Sequence, residues 1–287
     1  MRRLVKSFAA IISILLILVL IIQFIVLLPL PNHSLRTSNE RSTIRYSETP
    51  TVMIPGWGGN TTTYRRMTRY FEKHNYAQKV MTVWVSPTGT VKTGGDFHQQ
   101  KNSLIQVLYN WNYNASYHPQ VHQLTRVLQL LHDRYHIKRM NVIAHSYGGT
   151  EFIHAYMGSK QLQKDIQLRK VVFLGVPVEE SFGIKIKFVP NLNRKSKDRN
   201  FRQLECQMRK WRPNSTVKIL NIMGGNDEEV PRIQSEMLQS LVKIHPEIRY
   251  QQVVVPKTNH FQLHDRKIIL QRVGQMLWGK DEYKDVI

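Results

Sequence analysis

The sequence predicts an α/β protein: a mostly parallel central sheet with helices on both faces, preceded by one N-terminal transmembrane helix. Three observations carry that expectation. From Thr49 onward short apolar runs alternate with amphipathic stretches, and strand–helix alternation of this kind builds parallel sheets covered on both sides. Loops rich in glycine follow several of the strand-like runs, at the sheet edge where reactive groups collect in such folds. Ahead of all this, Phe8 to Leu30 runs without a charge.

At ~1.5 Å per residue, a helix over that run reaches roughly 34 Å, enough to cross a hydrocarbon core of about 30 Å. A secretory signal differs: its apolar part usually spans about 7 to 15 residues and ends in small residues at a cleavage site. This run is longer and ends LLPLPNHS. Residues 1–31 are therefore expected to stay attached as a signal anchor, with secretion after cleavage as the alternative. Arg2, Arg3 and Lys6 flank the run on its N-terminal side, which the positive-inside tendency leaves in the cytoplasm, with the rest of the chain outside. Residues 32–48 are polar and lack apolar periodicity, as suits a linker. Residues 49–287 form the expected domain.

Within it, TPTVMIP reads as a buried strand opening on the glycine loop GWGGN, and TTTYRRMTRYFEKH as a helix with Tyr64, Met67, Tyr70 and Phe71 on its core face. KVMTVWV is the next strand, and SPTGTVKTGGDF reads as loop from its Gly, Pro and Thr content. PQVHQLTRVLQLLHDRYHI has a broad apolar helical face, RMNVIAH is a strand, and TEFIHAYMGSK is a helix. RKVVFLGVPV, VKILNIMG and RYQQVVVP are three further strands, with helices PRIQSEMLQSLVKI and DRKIILQRVGQML. Residues 179–215 make a long connection for such a sheet. From Gly183 to Pro213 that connection has ten Lys and Arg, including Arg194, Lys195 and Lys197, against Asp198 and Glu205. It reads either as a basic cap that favours anionic substrates or as a solvated insertion.

The formal net charge is +21, an excess that draws polyanions and anionic head groups. Nucleic acid is disfavoured as a partner: the chain has no zinc-finger spacing, no aromatic RNA-binding motif and no phosphate loop ending in Lys-Ser/Thr. An anionic envelope polymer stays a candidate partner. Cys206 is the single cysteine, so no intrachain disulfide forms. No cofactor and no metal site is read from the sequence.

NVIAHSYGGT places Ser146 between a strand and a helix, two residues after Ala144 and two before Gly148. This is a nucleophile-elbow pattern with Ala in place of the first glycine; strings of the form x-H-S-x-G also arise by chance. Ser146 would project from the sheet, and the Tyr147 amide at the helix start would face a developing oxyanion. Trp57, in IPGWGGN, would supply a second amide, unless that loop is a plain glycine turn. A serine nucleophile needs a base and an acid that orients the base, in chain order Ser, Asp or Glu, His. GGNDEEVP and PKTNHFQLHD follow successive strands, so Asp227 is favoured as acid over Glu228 and Glu229, and His260 as base over His264. His145 reads as structural, pointing away from the elbow.

These four segments resemble the α/β-hydrolase superfamily, and more narrowly the membrane-anchored or secreted DUF915 hydrolases of Gram-positive bacteria; NSLIQVLYNWN also resembles that group. The likeness spans roughly residues 50 to 280. It implies a Ser146, Asp227, His260 triad with Trp57 and Tyr147 amides as oxyanion donors, but not a substrate, since fold does not dictate one. A triad of this kind on a domain outside the membrane is expected to hydrolyse a small-molecule or lipid acyl ester at the outer cell surface. A non-catalytic module that binds envelope polymers or lipids on the same scaffold is the competing reading.

Overall fold

The computed structural model describes residues 2–34, 40–97, 100–178 and 199–280. In chain order it contains α1 (Arg2–Val26), β1 (Thr51–Ile54), α2 (Arg65–Lys73), β2 (Gln78–Val85), β3 (Val91–Gly95) and β4 (Ser103–Tyr109). There follow α3 (His118–Tyr135), β5 (Arg139–His145), α4 (Tyr147–Gly158), α5 (Lys160–Asp165), β6 (Gln167–Leu174) and α6 (Arg199–Lys210). The chain continues through β7 (Val217–Gly224), α7 (Arg232–Glu236), α8 (Leu238–Val242), β8 (Ile248–Val255), a 3-10 turn (Phe261–His264) and α9 (Lys267–Trp278).

The eight strands form one sheet in the order β3-β2-β4-β1-β5-β6-β7-β8. Among the strand pairings of the described residues, β2 with β3 is antiparallel and the others are parallel, as expected. Parallel strands buried on both faces need apolar side chains on each. One face packs Val52, Ile54, Val142 and Ala144 under α3, α4, α6 and α8. The other packs Met53, Ile143, Val172 and Ile222 against Met67 and Phe71 of α2 and Leu270, Val273 and Trp278 of α9.

Several elements differ from the sequence reading. SPTGTVKTGGDF is not all loop: Val91–Gly95 is a strand, because the Ser86–Gly89 turn folds it back onto β2 as a hairpin edge. SLIQVLY, left unassigned above, is the fully buried strand β4 between β1 and β2. Its mid-strand Gln106 is buried, with Nε2 donating to Thr61 O at 3.3 Å. PRIQSEMLQSLVKI forms two short helices rather than one. The first part of the basic segment, including Arg194, Lys195 and Lys197, lies outside the described residues. The part that follows is α6, whose Phe201, Leu204 and Met208 are buried in the core face beside α4.

α1 is helical over 25 residues. Among the described residues, however, no helix is long and apolar enough to cross a membrane, so the transmembrane part of the expectation is not carried by the fold. The chain after α1 is fastened to the domain. Thr61 N donates to Val26 O at 3.1 Å, its hydroxyl to Leu28 O at 2.7 Å, and Trp84 Nε1 to Leu27 O at 3.0 Å. Lys79 Nζ reaches Leu30 O and Asn32 Oδ1 at 2.8 and 2.6 Å. Further on, Ile44 is buried and bridges Gly279, so the described parts of the linker run along the domain surface.

Candidate active site

β5 lies between β1 and β6 and delivers Ser146 at its C-terminal end. The chain turns at once into α4, which forces Ser146 to φ 52° and ψ −135°. Holding a non-glycine residue there costs of order 1–3 kcal/mol. A serine at a helix N-cap ordinarily accepts from a backbone N–H, but Ser146 makes no cap bond. Strain and an uncommitted hydroxyl together suit a reactive group better than a structural cap.

Close approach explains the small residues around it. A β-carbon on Gly56 would lie 2.6 Å from Ser146 Cβ and 3.3 Å from Oγ, and one on Gly148 would run into the carbonyls of Ile54 and Pro55. Ala144, which replaces the commoner glycine, fits because its methyl is part of the core under α4. Tyr147 is the first residue of α4, where helix amides carry partial positive charge. Trp57 sits on the loop against Ser146, its indole donating to Asn114 O at 2.9 Å. Asn112 braces that loop: its Nδ2 donates to Gly56 O at 2.7 Å and Gly59 O at 3.2 Å, while Gly58 N donates to Asn112 O at 2.7 Å.

Asp227 and His260 leave β7 and β8 on the same edge. His260 Nδ1 and Asp227 Oδ2 are 2.8 Å apart, with both side chains buried. The other carboxylate oxygen accepts from Glu229 N at 3.1 Å and Val230 N at 2.9 Å. Two amides thus aim one oxygen inward and leave the second for the imidazole. This separates Asp227 from Glu228 and Glu229, both exposed. The two loops are laced by Asn226 N to Thr258 O at 2.9 Å, and Arg266 Nη1 ties Pro256 O, Lys257 O and Thr258 Oγ1. Gly175 lies beneath the pair at φ +57°, where a β-carbon would stand 3.0 Å from Asp227 Oδ2 and 3.2 Å from His260 Nδ1. Ser146 Oγ makes no hydrogen bond to His260 among the described residues; catalytic hydrogen bonds of this kind often tighten only in the complex with substrate.

The remaining histidines act below the site. His145 packs against His260 with ring centroids 4.5 Å apart and the planes tilted by 41°, and its Nε2 donates to His260 O at 3.2 Å. Its ring is thereby tied to the loop that contains His260. Burial first, then neighbouring His260 and His264, pushes its pKa well below the usual imidazole value. His264 is also lowered, again by burial first, and contacts Asp265 at 3.1 Å. Both stay neutral in the fold. Asn112, Gly175 and Arg266 were not singled out by sequence; for Gly175 the signal was a glycine directly after a strand. Among the described residues no cluster of His, Cys, Asp and Glu is placed to hold a metal ion.

A parallel sheet whose strand ends gather a strained serine, a carboxylate–imidazole pair and a glycine loop defines an α/β hydrolase. The chain belongs to the family described as alpha/beta hydrolase of unknown function, DUF915, whose model matches residues 38–280. Its fold is similar to the product of the lin2722 gene of Listeria innocua, at TM-score 0.67 and 19% identity over 84% of this chain and 96% of that one. It is also similar to a protein of Lactobacillus plantarum assigned as a cell surface hydrolase, at TM-score 0.62 and 14% identity over 80% and 89% of the two chains. No curated protein matches the sequence.

Proposed function

We propose that this chain is a serine hydrolase that cleaves an ester or related acyl bond. The observation that carries the reading is the Asp227–His260 hydrogen bond of 2.8 Å, on the same strand edge as a serine held out of ordinary geometry. With Nδ1–H donated to Asp227, His260 Nε2 is left to accept a proton. Ser146 Oγ attacks the acyl carbonyl as its proton passes to Nε2, and Asp227 stabilises the resulting imidazolium. The Tyr147 and Trp57 amides receive the oxyanion; one such donor is worth about 2.7–4 kcal/mol in a related hydrolase. Collapse expels the alcohol, which takes the proton from His260, and water then releases the acyl group by the reverse sequence.

Ser146→Ala tests this in a p-nitrophenyl butyrate assay. Turnover is expected to fall to background with the melting temperature retained. A variant that hydrolyses the ester at the parent rate would end the proposal.

A second reading, that the domain also binds anionic envelope polymers, is favoured by a hollow of about 430 Å³ at the opposite edge of the sheet. Arg45, Arg169, Lys170, Lys218, Arg249 and Lys280 line it, with no carboxylate. Burial, then Lys218, Arg45 and Arg169, lowers the Lys170 pKa to about 8, so a polyanion would relieve a crowded set of charges. Arg169→Gln/Arg249→Gln is expected to elute from heparin at lower salt than the parent. Identical elution would remove this reading.

A further inference from the structure

A cavity of about 620 Å³ opens between the glycine loop, the start of α2 and the 3-10 turn. Its lining borders the reactive residues without including them: His145 precedes Ser146, Phe261 follows His260, and Gly56 lies against Ser146. Trp57 and Phe261 are part of this lining and are 45% and 63% exposed.

The lining also takes in Arg65, Arg66 and Arg69 from the first turns of α2. Among the described residues none of these three guanidiniums has a hydrogen-bond or ion-pair partner. Asp265 is the carboxylate in the lining, and its Oδ1 is engaged by His264. The two histidines of the wall are held neutral by burial and do not compete for an anion.

Helix chemistry argues against a merely solvated face. The N-terminal end of a helix has partial positive charge and favours acidic residues. The first turn of α2 has no acidic residue, and the helix opens on two arginines. That arrangement opposes the helix dipole and becomes favourable when an anion sits among the arginines. A guanidinium fork matches phosphate oxygens two at a time.

We propose that this cavity is an anion subsite of the hydrolase, and that the substrate is an acyl ester bearing a phosphate group a few bonds from the scissile carbonyl. The proposal rests on the hydrolase reading above for its acyl half; its phosphate half stands on the cavity alone. Ester and phosphate would be held together, the carbonyl at Ser146 and the phosphate at the arginines. A phospholipid and a soluble acylated glycerol phosphate share this chemistry.

The test pairs binding with turnover. Glycerol 1-phosphate binding is measured by calorimetry on the Ser146→Ala protein with and without Arg65→Gln/Arg66→Gln/Arg69→Gln. The exposed arginine positions leave the core untouched, and a thermal melt checks that the fold is kept. Binding is expected to weaken at least tenfold when the arginines are replaced; equal affinity in both proteins, or no binding by either, would overturn the subsite. In otherwise unaltered protein, kcat/KM for monomeric dihexanoylphosphatidylglycerol relative to dihexanoylglycerol is expected to fall at least tenfold with the triple substitution, chiefly through KM. Long-chain phosphatidylglycerol vesicles form the bilayer arm: the same fall there supports a membrane source, and a fall confined to the monomer supports a soluble one. An unchanged ratio in both arms overturns the proposal. If neither ester is cleaved by the unaltered protein while glycerol phosphate binding still needs the arginines, the hydrolase reading has failed and the subsite has not.

Discussion

At the scale of single residues, the site depends on geometry that few side chains could meet. Asp227 has one oxygen fixed by two backbone amides and the other on His260, so its direction is set by the loop. Asp227→Asn keeps the shape but favours the wrong imidazole tautomer, and a loss of about 10⁴-fold in kcat is the precedent for such a change. Glu228→Gln and Glu229→Gln are expected to leave kcat within about twofold, since neither carboxylate meets His260; equal losses at all three positions would reject the assignment. Ser146, Asp227 and His260 could be singled out in the sequence because each follows a strand-like run in the required order. Asn112 and Arg266 could not. Their roles consist of hydrogen bonds to loop carbonyls across distances in sequence that no local pattern encodes.

At the scale of elements, α4 contains a titratable group that the proposed chemistry does not use. Glu151 is buried one turn into the helix and accepts from Tyr109 Oη at 2.8 Å. Desolvation, the largest effect, drives its pKa well above the carboxylate range, while the Tyr109 hydrogen bond opposes the rise. The fold therefore keeps a proton that the unfolded chain releases near pH 4.3 (about the usual Glu value). Its contribution is fully present below that pH and is lost as pH rises toward the folded pKa, at up to about 1.4 kcal/mol per pH unit. Chemical denaturation between pH 5 and 8 is expected to show this downward slope, and Glu151→Gln to flatten it. A slope unchanged in the variant would mean that Glu151 ionises normally. The strands legible in the sequence were those with strong apolar runs. β3 was not, because VKTGG owes its extension to pairing with β2 rather than to its own propensity. The helix expected over 231–244 divides at Met237, which closes α7 and opens α8, a local break that apolar periodicity does not register.

At the scale of the whole molecule, α1 is the element whose apolar surface the domain does not bury. Ile14, Leu18, Ile21 and Ile25 are exposed, as are Leu16, Leu20 and Phe24 on the helix's other sides. A helix apolar all round belongs in a core or a membrane, and among the described residues no core covers these side chains. We propose that α1, with Leu27, Leu28 and Leu30 that follow it in sequence, anchors the hydrolase domain at the outer face of a membrane. Its end is tied to Thr61, beside the glycine loop, and Gln23 Nε2 donates to Asn110 O at 2.9 Å, so the active edge of the sheet would face the lipid. Carbonate extraction of cells expressing the full chain is expected to leave the protein in the membrane pellet, and removal of residues 2–30 to release it; recovery of the full chain in the soluble fraction would contradict the anchor. Location and substrate class matter only if the strained serine is chemically competent. The most direct measurement is mass spectrometry of the intact protein and its peptides after treatment with a fluorophosphonate. One adduct on Ser146, lost in His260→Ala, is the predicted result, whereas an unmodified Ser146 or an adduct on another residue would contradict the account.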